Sequence, residues 1–197
     1  AFLHVRDSHF LTVDIPATLH VLAAALFSLR YLTTGAIRDL AIAAVLTGLA
    51  ASTKYNAILL GGPTLVVAAL ATGPGRRWHR LGQAVLISAL AFVLTSPFVI
   101  LDYQSFWEDL AYERTHFATG HLGGLDLGPG WIYHLKATLP LGLGWPLYAV
   151  AIVGTGWQLV RGRLEDRALV IGALTYFAIA SSGRSLFMRY ILPIIPL

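Results

Sequence analysis

Long apolar stretches dominate this chain, and they restrict it more than any other feature. Six run from Ile15 to Leu32, Leu40 to Ser52, Ala57 to Ala71, Leu81 to Ile100, Leu141 to Val160 and Ala168 to Ala180, and a seventh opens at Tyr190. A bilayer core needs about 20 apolar residues per helix. Two of the stretches are shorter, as fits helices that tilt or are shielded by neighbours. Of 197 residues, 56% are hydrophobic and only 12% charged, about half the charge of a soluble domain. The expected fold class is all-α, a polytopic transmembrane helical bundle.

Cysteine is absent, which removes disulfides and thiolate metal sites. A net charge of +4 raises the thought of nucleic acid, but the arginines explain it better, and no nucleic-acid partner is expected. "RYLTTGAIRD", "TGPGRRWHR" and "RGRLEDR" hold Arg30, Arg38, Arg76, Arg77, Arg80, Arg161, Arg163 and Arg167. Short arginine-rich loops stay cytoplasmic. Alternation then puts residues 1–14, the Lys54 neighbourhood, residues 102–140 and "SSGRSLFMRY" on the outer side. It also requires the run from Leu40 to Ala71 to be two helices turning near Lys54. The chain opens on Ala1, has Met188 as its only methionine and stops inside an apolar run. It therefore reads as an internal piece of a longer protein, a single partial transmembrane domain over residues 1–197.

The longest polar segment is an outer loop over about residues 102–139. Ser105 and Glu108 in "SFWEDLAYERTHF" form a capping-box pattern, and Phe106, Trp107, Leu110 and Phe117 give the segment one apolar side, as in a helix lying on the membrane surface. The glycine-rich "GHLGGLDLGPGW" after it reads as a mobile lid. Trp131, Tyr133 and Trp145 read as interfacial anchors.

His4, Arg6, Asp7, His9, Asp14, Lys54, Asn56, Arg184 and Arg189 all fall on the outer side, with more charged groups in the loop. Cations, histidines and carboxylates at the ends of apolar helices suit a phosphate-bearing lipid. Cations hold phosphate, and a carboxylate or histidine takes a proton. Simpler roles stand beside these. Asp14 precedes "IPATL" and can be a helix N-cap; Glu108 fits the capping box; Arg184 and Lys54 can snorkel. His116 and His121 are five apart with no third ligand in view, so no metal site is expected.

"HVRDSHFLTVDIPATL", "GLAASTKYNAILLGGP" and "FMRYILPIIPL" occur in that order, each at the outer end of a helix. Together they resemble the GT-C membrane glycosyltransferases of the dolichyl-phosphate-mannose protein mannosyltransferase and ArnT type, over most of the chain. The resemblance implies transfer of a sugar from a polyprenyl-phosphate carrier to a glycan, lipid or protein acceptor. It places the reaction at the outer face of a membrane, with the bacterial inner membrane as the expected location. It implies that Lys54 and Tyr55 of "TKY" and Arg189 and Tyr190 of "RYILP" lie near the carrier phosphate, with His9 and Asp14 facing the same cavity. The donor is the lipid-linked sugar; no other cofactor is expected, and a divalent cation is left open. The family's principal carboxylate lies in an outer loop that would precede Ala1, so Asp14 is expected to assist rather than act alone, and the piece alone to be inactive. Two other readings are a transporter or flippase for a lipid-linked sugar and a scaffold subunit of a membrane complex.

Overall fold

The computed structural model describes residues 1–120 and 127–197, and every regular element among them is helical. In chain order these are α1 (Phe2–Asp7), α2 (Asp14–Thr34), α3 (Ile37–Thr53), a 3-10 turn pair (Tyr55–Gly61), α4 (Gly62–Leu70), α5 (Arg77–Thr95), α6 (Phe98–Leu101) and α7 (Tyr103–Thr119). After the loop come α8 (Gly130–Tyr133), a π-helical turn (His134–Thr138), α9 (Leu139–Leu143), α10 (Trp145–Arg161), α11 (Leu164–Ala180) and a final 3-10 segment (Met188–Ile194).

The run from Leu40 to Ala71 is two antiparallel elements. Lys54 takes an extended conformation, φ −156° and ψ 115°, which breaks the α-helix between α3 and the 3-10 turns. Two core clusters fix the direction on either side. Near Lys54, Ala50 packs with Ala57, Leu60, Ala17 and Val21. At the far end Leu40 and Ala44, which open α3, pack with Val67 and Ala68, which close α4, and with Tyr31. The chain goes out along α3 and back along residues 55–70, a hairpin with Lys54 at its turn.

The other arginine-rich connections lie at the end away from Lys54. Gly35, at φ 65°, closes α2 in the left-handed region that favours glycine. Arg30 faces Asp39 across this turn at 3.6 Å, and Arg77 Nε donates to the Ala69 carbonyl. Tyr176 and Ala180 of α11 join the cluster near Lys54, and Gly172 lies against Pro63, so the start of α11 points to the arginine-rich end as well.

Hydrocarbon supplies no hydrophobic drive between helices, so small residues and short hydroxyls hold them together. Thr64 Oγ1 lies 3.0 Å from Ser28 Oγ and 3.4 Å from Thr47 Oγ1, joining α4 to α2 and α3. Ser88 of α5 donates to the Ala44 carbonyl, and Ser52 meets Ser96 at 2.6 Å. α2 and α5 are long and apolar enough to cross a membrane, and the bent pair Gly130–Leu143 plus Trp145–Arg161 makes a third span if counted as one. Only Ala84 of α5 is buried, and Leu86, Leu90 and Leu94 are exposed. A face that apolar requires cover other than water. This is an integral membrane protein.

Two sequence expectations need correction. The stretch from Leu141 to Val160 is not one straight span: Gly144, at φ 80°, turns the chain by 118° before α10 begins. The helix after Leu101 starts two residues ahead of its expected cap. Asp102 is the cap, its side chain accepting from Ser105 N, while Glu108 accepts from Gln104. The glycine-rich lid expectation falls largely on residues 121–126, outside the described residues.

A Cβ at Gly48 would meet the Ser88 carbonyl and lie 2.8 Å from the Ala91 Cβ, whereas one at Gly82 would meet nothing. Gly48→Ala should therefore destabilise the α3–α5 contact by about 1–3 kcal/mol. Gly82→Ala should be neutral or stabilise by up to about 1 kcal/mol. Thermal unfolding of the two variants in the same detergent measures the difference.

Candidate functional site

Three segments meet at the end of the bundle where the hairpin turns. The first is the start of α2. Asp14 is its first residue, yet the N-cap is Val13 and no side chain caps the helix. Asp14 is 2% exposed, so its carboxylate is turned into the protein and not onto the helix end. Lys54 Nζ donates to Asp14 Oδ1 at 2.5 Å, and Arg189 Nε faces Asp14 Oδ2 at 3.6 Å. Residues 40 and 175 positions away along the chain thus share one carboxylate. A charge this buried is tolerated only with such partners, because desolvating it alone costs several kcal/mol.

Aromatic rings hold the cations in place. Lys54 Nζ lies 4.9 Å from the centre of the Tyr190 ring, and the Arg189 guanidinium stacks over Phe187 at 4.6 Å. Cations over ring faces gain about 0.5–2 kcal/mol each, more where water is excluded. The Tyr176 hydroxyl donates to the Tyr190 carbonyl at 2.8 Å, tying the 3-10 segment to α11.

Arg189 also lines a cavity of about 430 Å³ between α1 and residues 186–189, together with Arg6, Asp7, Thr12 and Tyr133. Of the residues picked from the sequence, Asp14, Lys54, Arg189 and Tyr190 come together here. His9 does not reach them: it is exposed, with its ring Nδ1 2.8 Å from the Val5 carbonyl oxygen of its own turn. Tyr55 is 46% exposed and packs edge-on against Phe92 and Phe106, on the side facing α5 and α7. Lys54 is neither snorkelling nor open to a ligand at its tip, since 16% of its side chain is exposed and its ammonium is held by Asp14.

Arg6, Asp7 and Thr12 belong to the site's geometry, although the sequence marks them only as outer-side residues. "HVRD" carries no motif that sets it apart, and α1 is six residues long, too short for a legible period. α7 is tied to the site as well. Arg184 N donates to the Phe117 carbonyl at 2.9 Å, and Ser185 Oγ lies 3.3 Å from His116 Nε2, so the end of α7 rests on the loop leading to Arg189. Among the described residues no three of His, Asp or Glu gather as a metal-ligand set; His121 and Asp126 lie outside them.

Such an arrangement can bind an anion beside fixed positive charge. Lys54→Met leaves Asp14 with Arg189 alone and should destabilise by about 3 kcal/mol, the range for breaking a buried pair. Asp14→Asn should cost a similar amount. The double variant should lose less than the sum by about 0.5–3 kcal/mol. Unfolding in detergent followed by circular dichroism measures all three, and strict additivity would show that the pair is not coupled.

A protein-family model described as dolichyl-phosphate-mannose-protein mannosyltransferase matches residues 1–101, just over half of the 197. The match covers α1 to α6 and includes Asp14 and Lys54. No curated protein and no solved structure matches the chain.

Proposed function

Because the chain belongs to the dolichyl-phosphate-mannose-protein mannosyltransferase family, a family of membrane glycosyltransferases, we propose that it takes part in moving a sugar from a polyprenyl-phosphate carrier to an acceptor at the outer face of a bacterial inner membrane. The observation that carries this reading is the convergence of Lys54 and Arg189 on the buried Asp14, beside a cavity at one end of the bundle.

The chemistry asks for that charge. A polyprenyl-phosphate sugar is a phosphodiester with one negative charge. When the bond from the anomeric carbon to phosphate oxygen breaks, its electron pair stays on the phosphate, which becomes a monoester of charge about −1.5 to −2. Cations fixed in a site from which water is excluded stabilise the developing charge without reorganising. The acceptor oxygen forms the new bond to the anomeric carbon and gives its proton to a base. Both Asp14 oxygens face cations, so Asp14 serves to hold Lys54 and Arg189, and another carboxylate takes the proton.

Full-length protein reconstituted with a radiolabelled polyprenyl-phosphate sugar tests the reading: label should pass into the acceptor. Movement of intact carrier without transfer would replace the enzyme by a transporter. Arg189→Ala or Lys54→Ala should raise the KM for donor and lower kcat, together by about a hundredfold in kcat/KM; wild-type kinetics in both would defeat the assignment. For sidedness, the chain has no cysteine of its own. A cysteine at position 55 should react with an impermeant thiol reagent from outside the cell, and labelling only from the cytoplasm would reverse the orientation.

A further inference from the structure

The end of the bundle away from Lys54 carries more positive charge than its own residues balance. Ser88 donates to the Ala44 carbonyl and a Cβ at Gly48 would lie against Ala91, so α3 and α5 run parallel with their first turns side by side. Five arginines gather there, Arg30 and Arg38 at the α2–α3 turn and Arg76, Arg77 and Arg80 at the start of α5, against one carboxylate, Asp39. Asp39 is buried and both its oxygens are engaged, one facing Arg30 at 3.6 Å and the other accepting from the Thr34 hydroxyl at 2.8 Å. Five minus one leaves four positive charges in excess. Among the described residues no carboxylate pairs with Arg38, Arg76, Arg77 or Arg80, and Glu165 and Asp166 of the α10–α11 connection face Arg163. The helix itself does not call for the cations at the start of α5. Its first turn holds no acidic residue and no side chain caps it, and positive charge at that end opposes the helix dipole. Arg77 Nε donates to the Ala69 carbonyl and Arg80 Nη1 to Gln83 Oε1, which leaves both Nη groups of Arg77 uncommitted among the described residues. Arg38, Arg76, Arg77, Trp78 and His79 are all exposed.

We infer that this patch is a docking surface for the headgroups of anionic phospholipids, centred on the first turn of α5. The rest of α5 sets its depth. The 19 residues of the helix span about 28 Å at 1.5 Å each, close to the roughly 30 Å of a hydrocarbon core. Only 6% of its apolar window is buried, and Leu86, Leu90 and Leu94 are exposed, so this helix presents its side to lipid chains. Lipids lining that side bring their phosphates level with Arg76, Arg77 and Arg80. Trp78, 75% exposed, lies in the same layer, where indole rings are favoured. A guanidinium meets phosphate oxygens through two parallel N–H bonds. A zwitterionic lipid sets its own ammonium against its phosphate, whereas an anionic lipid has net charge to offer the unbalanced arginines, and basic clusters beside a membrane helix gain from it. Sorting of loops during insertion would need the same cations but would give no preference between lipids afterwards. The patch lies at the opposite end from Asp14, Lys54 and Arg189, and the inference does not depend on the chemistry proposed for them.

The test uses full-length protein in nanodiscs of phosphatidylcholine that carry a trace of spin-labelled phosphatidylglycerol or of spin-labelled phosphatidylcholine. The fraction of each label immobilised by the protein gives their relative association. Both leaflets of such a disc have one composition, so the orientation of the protein does not enter. Wild type should prefer phosphatidylglycerol by at least about threefold. The preference should shrink toward about 1 M salt, where charges are screened beyond about 3 Å. The triple variant Arg76→Gln, Arg77→Gln, Arg80→Gln should bring the preference close to one, and the same three positions changed to lysine should keep most of it. Arg76→Gln alone, at an exposed residue, should lose a measurable part and guards against a triple variant that fails to fold. Arg163→Gln removes a cation already matched by Glu165 and Asp166 and should keep the wild-type preference. A wild type with no preference would overturn the docking surface, as would a preference unaltered in both Arg76→Gln and the triple glutamine variant. A preference lost in Arg189→Ala and kept in the triple variant would place the anionic lipid at the Asp14 end and overturn it too. Glycerol phosphate in solution abolishing the preference at the salt concentration where sodium chloride does not would show a soluble anion, not a lipid surface, as the occupant.

Discussion

One buried carboxylate governs the end of this molecule where the hairpin turns. Asp14 lies at the start of a membrane-spanning helix with 2% of its surface exposed, and nothing in its own helix neutralises it. Bare, it would be far too costly to bury. The cations that answer it come from the hairpin turn at Lys54 and from the segment at Arg189, so those three parts of the chain must meet. Packing alone would leave the helix ends free to slide, because hydrocarbon gives no preference between one apolar contact and another. An ion pair in a poorly hydrated place has a direction and a distance, and it fixes what the apolar contacts leave open.

The rest of the architecture follows from that anchor. With Lys54 held at Asp14, α3 and residues 55–70 are drawn against α2, and the hydroxyls of Ser28, Thr47 and Thr64 meet midway along them. Arg189 is held at Asp14, and its segment is tied to α11 by Tyr176, which brings Arg189 to the cavity opposite Arg6. The same contacts that stabilise the bundle therefore set out the charges of the site. Cations held in this way are preorganised and need no rearrangement when a negative charge comes to them.

Much of this was legible in the residues, for particular reasons. The helices of the hairpin followed from sidedness: only a turn near Lys54 puts "TGPGRRWHR" with the other arginine-rich loops. Asp14, Lys54, Arg189 and Tyr190 stood out because charged or aromatic groups next to long apolar runs are conspicuous. The bend at Gly144 was hidden, since "LGLGWPLY" continues an apolar pattern, and the left-handed glycine that breaks it adds no polar signal. The Asp102 cap was obscured by Ser105 and Glu108, which have the capping-box spacing but lie within the helix. His9 and Tyr55 sat in the right motifs and point elsewhere, because neighbours in sequence on a helical turn face different ways.

The sequence by itself determined that the chain is helical and membrane-embedded, and which few charges lie at the ends of its apolar runs. Those are properties of runs, periods and local composition, and they do not depend on where the helices sit relative to one another. Tertiary structure alone decided the pairing. It gave Lys54 to Asp14, a partner that neither snorkelling nor the phosphate contact implied by the resemblance had named, and it made Arg189 both a partner of that carboxylate and a wall of the cavity. It also brought Arg6, which the sequence marks only as one of several outer-side charges, to the wall of the same cavity. Distances between residues 40 and 175 positions apart are set by packing in three dimensions, and no spacing along the chain records them.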